Sequence, residues 1–303
     1  MAHLLFVVEE LEPNGEDEIT FIIQRHCPSV YYTYNKKNKK KHFLPELVPE
    51  PVPKSRRLPE SVTIEVFVIS AADHNARFKL RKLIMYIAVF MNAVNLRYAS
   101  CKNPKLVMRL VGIKKSSSDP YYREAGEVVI AADTLNELHK ALPSLNIPGS
   151  PDVVYLITSS SLPFPLYIFF VRVLGLAYVG TVCQDRNVGE GEDKPHSFTG
   201  VHVAAHEIAH ILGSKHDGSG PARFIRGHPG AIACPWKWGY IMSYVNGGKK
   251  HFRFSECSQA QMRAVLGLRP RTCLEIASEK DYLSEHPKLP GGLLVDIKYC
   301  KLM

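Results

Sequence analysis

Alternating apolar and polar positions along the first half of the chain predict a layered α/β structure. Alternation at Val62–Ser70 and apolar runs at Leu106–Ile113 and Val153–Thr158 predict three strands. Between them, apolar residues recur at helical spacing from Asn75 to Tyr98, and Asp133 begins a second helical pattern that continues through Leu142. This alternating order of strands and helices predicts helices packed on a sheet.

Two later segments carry weaker patterns. The stretch Gly189–Asp193 is acidic and contains glycine, which predicts a solvated loop, with ion binding as the minor alternative. Ser258–Leu266 predicts the last helix.

The composition is that of an ordinary globular protein, with 303 residues of which 46% are hydrophobic and 22% charged. Residues 1–57 hold 9 Lys/Arg and 8 Asp/Glu, a net charge of +1. The rest of the chain holds 29 Lys/Arg and 21 Asp/Glu, so it carries +8 of the total net charge of +9. A basic domain suits sulfated glycans or acidic surfaces, although a merely solvated surface is the commoner reason for such a charge. No aromatic-interleaved basic motif suggests nucleic acid, so nucleic acid is not an expected partner.

The chemistry of the chain is concentrated in one helical stretch. His206 and His210 are four residues apart, so both imidazoles lie on one helix face and can reach a single ion. Gly213 tolerates positive φ, so the chain can turn and bring back His216 as a third nitrogen ligand. Three histidines leave one position of a tetrahedral Zn²⁺ open for water, as in catalytic sites. Glu207, beside the first ligand, is the candidate general base.

These residues, with Asp217 directly after the third histidine, resemble the adamalysin or reprolysin branch of the metzincin zinc metalloproteases. The sequences of Gly175–Gly180 and Gly239–Tyr244 are most similar to those of secreted salivary metalloproteases of blood-feeding ticks. The resemblance covers roughly Val62 to Cys300. It implies a metzincin-type α/β fold, with a mixed, mostly parallel sheet and long helices in an upper subdomain, and a small, irregular, disulfide-linked lower subdomain.

The resemblance also implies further parts of the site. Leu176–Cys183 should be the edge strand that borders the cleft, where an extended substrate can pair as one more strand. Met242 should lie in the turn beneath the zinc, and its segment through Val245 should form a wall of a substrate pocket. Glu65 and Asp152 match positions that help to bind structural Ca²⁺ in the family.

Two features depart from the expected pattern. Ile276 stands where a calcium ligand with a side-chain oxygen is expected, which weakens the calcium prediction. Leu162–Leu174 is longer and more apolar than its family counterpart, so it is either an inserted wall near the cleft or retained non-coding sequence. It is too short, and too interrupted by two prolines and Arg172, to span a membrane.

Seven cysteines are present without a Cys-x-x-Cys pair, so a zinc ribbon or a thioredoxin-like site is not supported. By resemblance, Cys183 should pair with Cys273, and Cys234 with Cys257, whereas the partners of the remaining three stay open. Such bonds belong to the secretory pathway, yet no signal peptide is recognisable, so we expect a fragment of a secreted protein.

The predicted domains are a partial pro-region with a basic and proline-rich linker at 1–57, a catalytic domain at 58–277, and the truncated start of a cysteine-rich region at 278–303. Lys54–Arg57 is a candidate processing site. Cys27 could block the zinc of a zymogen, although its neighbours do not match the family's switch motif and a simple pro-region cysteine is the stronger reading.

The resemblance implies a secreted zinc endopeptidase that hydrolyses extended polypeptides, such as extracellular matrix or clotting proteins. Two alternatives remain. The fold could serve a secreted binding protein without turnover, or the chain could be a latent zymogen, because part of a pro-region is still attached.

Overall fold

The computed structural model describes most of the predicted catalytic domain and two short N-terminal segments. The predicted linker, most of Lys54–Arg57, Cys27 and Cys300 lie outside the described residues. The described residues are 18–23, 30–35, 57–125, 128–159, 162–166, 169–269, 271–276 and 278–293.

The strands and helices are numbered here in chain order. The strands are β1 (Glu18–Ile23), β2 (Val30–Asn35), β3 (Ser61–Ser70), β4 (Lys105–Lys115), β5 (Glu124–Ala125), β6 (Val128–Val129), β7 (Val153–Thr158), β8 (Leu162–Leu166), β9 (Phe169–Val173), β10 (Gly175–Ala177) and β11 (Val188–Glu192). The helices are α1 (Ala72–Asn75), α2 (Leu80–Tyr98), α3 (Ala131–Ala141), α4 (Val201–Ile211), α5 (Glu256–Leu268) and α6 (Tyr282–Glu285).

A five-stranded sheet forms the centre of the domain, in the order β10-β11-β7-β3-β4. All neighbouring strands are parallel except β10, which pairs antiparallel with β11. Side chains alternate between its faces: Val66 and Val68 of β3 pack in the core that holds α2 and α4, whereas Phe67 and Ile69 pack in the core that holds α3. The mixed, mostly parallel sheet with covering helices was predicted and is confirmed.

Most predicted elements are present with small changes of boundary. The helix predicted from Asn75 to Tyr98 begins later than expected. Asn75 is the last residue of α1, and α2 begins only at Leu80. The predicted strand Val153–Thr158 has the same bounds as β7, and the last predicted helix is extended by two residues at each end as α5. No helix of the described residues is long and apolar enough to cross a membrane.

The prediction of a solvated loop at Gly189–Asp193 is wrong. All but Asp193 belong to β11, between β7 and β10, and most of the segment is buried. Gly191 is required here, because a Cβ on it would clash with the Tyr155 hydroxyl and lie 2.9 Å from Val203 Cγ1 of α4; a Cβ on Gly189 would lie 3.2 Å from Ile211 Cδ1 of the same helix. Here glycine marks a close approach of backbone and helix, and not a loop.

The edge strand is shorter than the predicted Leu176–Cys183. Beyond β10 the chain leaves the sheet at Gly180, which has φ +72°, and its amide donates to the His210 carbonyl at 2.8 Å. The Val182 amide likewise donates to the Ile211 carbonyl at 3.0 Å. The segment is therefore tied to the end of α4 instead of extending the sheet.

The unusual stretch Leu162–Leu174 forms an antiparallel hairpin of β8 and β9 directly before β10. Strand β8 lies next to β6 and α3, on the face of the sheet opposite α4. The stretch therefore folds as a hairpin directly before the edge strand, and the choice between an inserted wall near the cleft and retained non-coding sequence stays a prediction.

The region after His216 is irregular, as predicted, with only short 3-10 turns before α5. Both predicted disulfides are present: Cys183 pairs with Cys273, and Cys234 with Cys257. Cys101 is a buried free thiol whose pKa is raised to about 12 by its burial.

Candidate metal centre

Three histidine nitrogens meet at one point in the structure. On α4, His206 and His210 are one turn apart, and their Nε2 atoms are 3.1 Å from each other. The helix ends before Gly213, whose φ of +107° turns the chain back. His216 thereby places its Nε2 atom 2.9 Å from that of His206 and 3.2 Å from that of His210.

The tautomers of two of these rings follow from their other nitrogens. His206 Nδ1 lies 2.8 Å from the Ile241 carbonyl, and His210 Nδ1 lies 2.7 Å from the Ser214 carbonyl. A carbonyl only accepts, so each Nδ1 carries the proton and each Nε2 turns a lone pair toward the centre. Converging lone pairs repel one another unless a cation lies between them. The nitrogen separations are close to the roughly 3.3 Å that tetrahedral Zn–N bonds of about 2.0–2.1 Å imply, so the residues fit a zinc ion.

Burial keeps these rings neutral. His206, His210 and His216 are at least 96% buried in the structure. Desolvation, with a smaller effect from neighbouring rings or Lys215, lowers the pKa of His206 to about 3 and that of His210 to about 4, and holds the pKa of His216 well below its usual value. Neutral imidazole is the form that binds metal, so the site is ready to bind at physiological pH.

Glu207 follows His206 on α4, and its side chain packs against the edge strand. A Cβ on Gly175 of β10 would stand 2.7 Å from Glu207 Cγ and 2.6 Å from Val203 Cγ1, so the side chain passes directly over this glycine. Burial raises the pKa of the Glu207 carboxyl well above its usual value. A carboxyl with raised affinity for protons, close to a strand edge, is suited to proton transfer.

The predicted methionine turn lies against the histidine segment. The Ile241 carbonyl accepts from His206, and the Met242 carbonyl accepts from the Asp217 amide at 2.9 Å. The Asp217 carboxylate in turn accepts from the Ser255 hydroxyl at 2.6 Å, at the N-cap of α5. Met242 is fully buried. These contacts fix the segment that carries the third histidine to both the turn and α5.

Tyr244 is a residue at this centre that sequence reasoning did not single out. Its hydroxyl lies 3.0 Å from His216 Nε2, and its ring stacks with that of His206 at a centroid distance of 5.6 Å. The sequence indicated only a pocket wall there. Its position two residues after Met242 was the one available clue, and the hydroxyl's direction depends on the fold.

The two predicted calcium residues are neighbours, but they do not form a calcium cage. Asp152 Oδ2 accepts from the Glu65 amide at 2.8 Å, and Glu65 Oε1 accepts from the Ser278 amide at 2.8 Å. Among the described residues, the only other potential metal ligands grouped with Asp152 are Cys183 and Cys273. These two cysteines are joined by a disulfide. Calcium is therefore not supported.

Comparisons with known proteins agree with this geometry. The chain is 32% identical over 233 residues to a Bombyx mori protein named A disintegrin and metalloproteinase with thrombospondin motifs like, and the match covers 71% of this chain and 33% of that protein. It is 24% identical over 231 residues to a venom metalloproteinase antarease-like protein of Tityus fasciolatus, covering 71% of this chain and 97% of that one.

The chain thus spans about a third of the silkworm relative and nearly all of the Tityus relative. A mouse protein, A disintegrin and metalloproteinase with thrombospondin motifs 4, is 28% identical over 201 residues, covering 60% of this chain and 22% of its own length. None of these three is a tick protein, so the resemblance to tick salivary enzymes stays a prediction. A family model described as Metallo-peptidase family M12, of the reprolysin type, matches residues 62–255. The chain therefore belongs to the reprolysin-type metallopeptidases of family M12.

Proposed function

We propose that the chain is a secreted zinc endopeptidase that hydrolyses peptide bonds of extracellular proteins. The observation that carries this proposal is the convergence of the three Nε2 atoms within 2.9–3.2 Å of one another, with Glu207 next to His206 along α4 and packed against the edge strand. In this assignment His206, His210 and His216 hold the zinc, and Glu207 is the catalytic residue. When bound, zinc supplies a Lewis acid that polarises a carbonyl and lowers the pKa of water to about 7.

The chain's own residues would then position the substrate and move the proton. Strand β10 is an edge of the sheet, so an extended peptide can add to it as a further strand and be held by its backbone rather than by its sequence. Glu207 takes the proton from the attacking water and passes it to the nitrogen of the leaving amine. The Tyr244 hydroxyl, 3.0 Å from His216 Nε2, lies close enough to hydrogen-bond to groups at the centre.

The substitution Glu207→Gln tests this mechanism directly. It keeps the shape of the side chain but removes a base, a role worth about 10² to 10⁴ in rate. We expect cleavage of an unfolded protein substrate to fall by that factor while zinc stays bound. In the matched variant His210→Ala, the zinc affinity itself should collapse, because a ligand is lost. Near-normal cleavage by Glu207→Gln would refute the mechanism, and loss of its zinc would identify Glu207 as a ligand instead.

Secretion and substrate class belong to the same proposal. Two disulfides support an oxidising compartment, and the name of the Tityus relative describes a venom protein. We infer matrix or clotting proteins as substrates from the family resemblance alone. The domain limits 1–57, 58–277 and 278–303 are likewise proposed.

The two alternatives predict different outcomes. A binding protein without turnover would retain its effect on a target when Glu207→Gln abolishes cleavage. A latent zymogen would gain activity when the chain is trimmed near Arg57, and the same substrate assay, with and without a chelator, measures both.

A further inference from the structure

The segment that follows the third histidine is strongly cationic. Residues 218–255 contain six Lys or Arg and no Asp or Glu. Much of this charge is on the surface, next to exposed aromatic rings. We call the following exposed residues the cationic rim: Lys237, Trp238, Lys249, Lys250, Phe252 and Arg253.

The rim is joined to the metal centre at two points. At one end, Tyr244 precedes Lys249 by five residues and places its hydroxyl 3.0 Å from His216 Nε2. At the other end, the ring of His251 stacks on that of His202, with centroids 4.0 Å apart and an angle of 18° between the planes. His202 is one helical turn before His206 on α4. The segment that carries the rim therefore packs against the histidine site at two of its residues.

Packing holds the rim in place. The Lys250 ammonium lies 5.5 Å from the ring centroids of both Trp238 and Tyr240, and the Arg97 guanidinium lies 4.4 Å from that of Phe252. The turn below is close-packed, because a Cβ on Gly239, at φ +69°, would lie 2.5 Å from the Gly247 Cα atom. Cations positioned in advance lose little conformational entropy when an anion binds.

The charge of the rim is not neutralised within the described part of the chain. The ion pairs found there join other residues, and none involves a rim lysine or arginine. A cleft bordered by charge of one sign concentrates ligands of the opposite sign.

We propose that the cationic rim selects polypeptides with acidic side chains near the scissile bond. This inference rests on the proposed peptidase function, because it concerns the substrate of the same cleft. An extended peptide advances about 3.3 Å per residue, so side chains two to four residues from the bond reach well beyond the metal centre. The lysine side chains are long enough to meet a carboxylate at several such positions. A single polypeptide thus uses the strand edge for its backbone and the rim for its charges.

The test compares matched fluorogenic peptides that carry either Glu or Gln at positions two to four from the scissile bond, on either side. For the full wild-type chain, we expect a higher kcat/KM for the Glu peptides than for the Gln peptides. In the variant Lys249→Gln/Lys250→Gln this preference should fall by about threefold to tenfold, since each exposed ion pair contributes modestly. The preference should also weaken as salt is raised.

The control variant is Lys79→Gln/Lys82→Gln, which also removes two exposed positive charges, at the start of α2 and so at the opposite end of that helix from Arg97; it should leave the preference unchanged. Equal kcat/KM for Glu and Gln peptides, or an unchanged preference in the double variant, would overturn the proposal.

A binding arm separates this inference from the proposed function. Fluorescence anisotropy measures binding of the same peptides to Glu207→Gln, with and without the two lysine substitutions. If no peptide is cleaved, the proposed function fails, yet tighter binding of Glu peptides that depends on both lysines still supports the rim. If a sulfated oligosaccharide binds through these lysines and Glu peptides bind no better than Gln peptides, the rim is a glycan surface and the proposal is wrong.

Discussion

Gly213→Ala tests the turn that brings the third histidine back to the first two. Gly213 has φ +107°, a conformation that costs a residue with a Cβ about 1–2 kcal/mol. The new Cβ would also stand 2.6 Å from the Cβ of buried Val265 and closer still to one of its methyl groups. Overpacking of this kind typically costs about 1–3 kcal/mol. The expected loss is therefore about 2–5 kcal/mol, a large part of the about 5–15 kcal/mol that stabilises a typical domain.

Urea unfolding of zinc-loaded and zinc-free protein measures this loss, and competition with a chelator measures the zinc affinity. We expect the free energy of unfolding and the zinc affinity to fall, because His216 is displaced when the turn shifts. Gly149→Ala is the matched control: its φ is +70°, but nothing lies within 4 Å of its added Cβ, so only the backbone cost of about 1–2 kcal/mol applies.

A double-mutant cycle with Val265→Ala isolates the steric part of the effect. Removing the valine methyl groups makes room for the new Cβ, so the two substitutions together should cost less than the sum of their separate effects. If the two stability losses are strictly additive, or if Gly213→Ala costs no more stability than Gly149→Ala, contact with Val265 is not the reason for the glycine.

Three further predictions concern groups elsewhere in the domain. Glu190 is fully buried and neither carboxyl oxygen has a partner among the described residues; burial, and then Glu207, raise its pKa well above 4.5. Above pH 4.5 the folded state therefore keeps a proton that the unfolded state releases. The free energy of unfolding should fall by up to about 1.4 kcal/mol per pH unit above pH 4.5. Unfolding of Glu190→Gln, measured across pH, should lack this contribution. Tyr244→Phe keeps the ring but removes the hydroxyl near the centre, so zinc affinity or kcat should fall by about tenfold or more, with unchanged thermal unfolding of the metal-free protein. Mild reduction of Cys234–Cys257 should increase amide hydrogen exchange in residues 235–256 before the sheet opens; simultaneous exchange throughout the domain would contradict this.

Much of the local structure could be read from the sequence, because helices and strands depend on spacing along the chain. The period of apolar positions identified β3, β4, β7 and α5 to within two residues at each end. The same reasoning placed His206 and His210 on one face of a helix, since residues four apart are neighbours there whatever surrounds them. The family resemblance, and not spacing, supplied the disulfide partners, which the structure contains.

The remaining features depend on contacts between distant parts of the chain. Gly189–Asp193 has the composition of a solvated loop, and only the packing of α4 over its two glycines makes most of it an interior strand. The direction of the Tyr244 hydroxyl likewise depends on how its turn folds back under α4. Local pattern determined which residues could form the helix and the metal centre. The tertiary structure decided where the edge strand ends and which side chains surround the centre, because burial and close approach are properties of the packed chain.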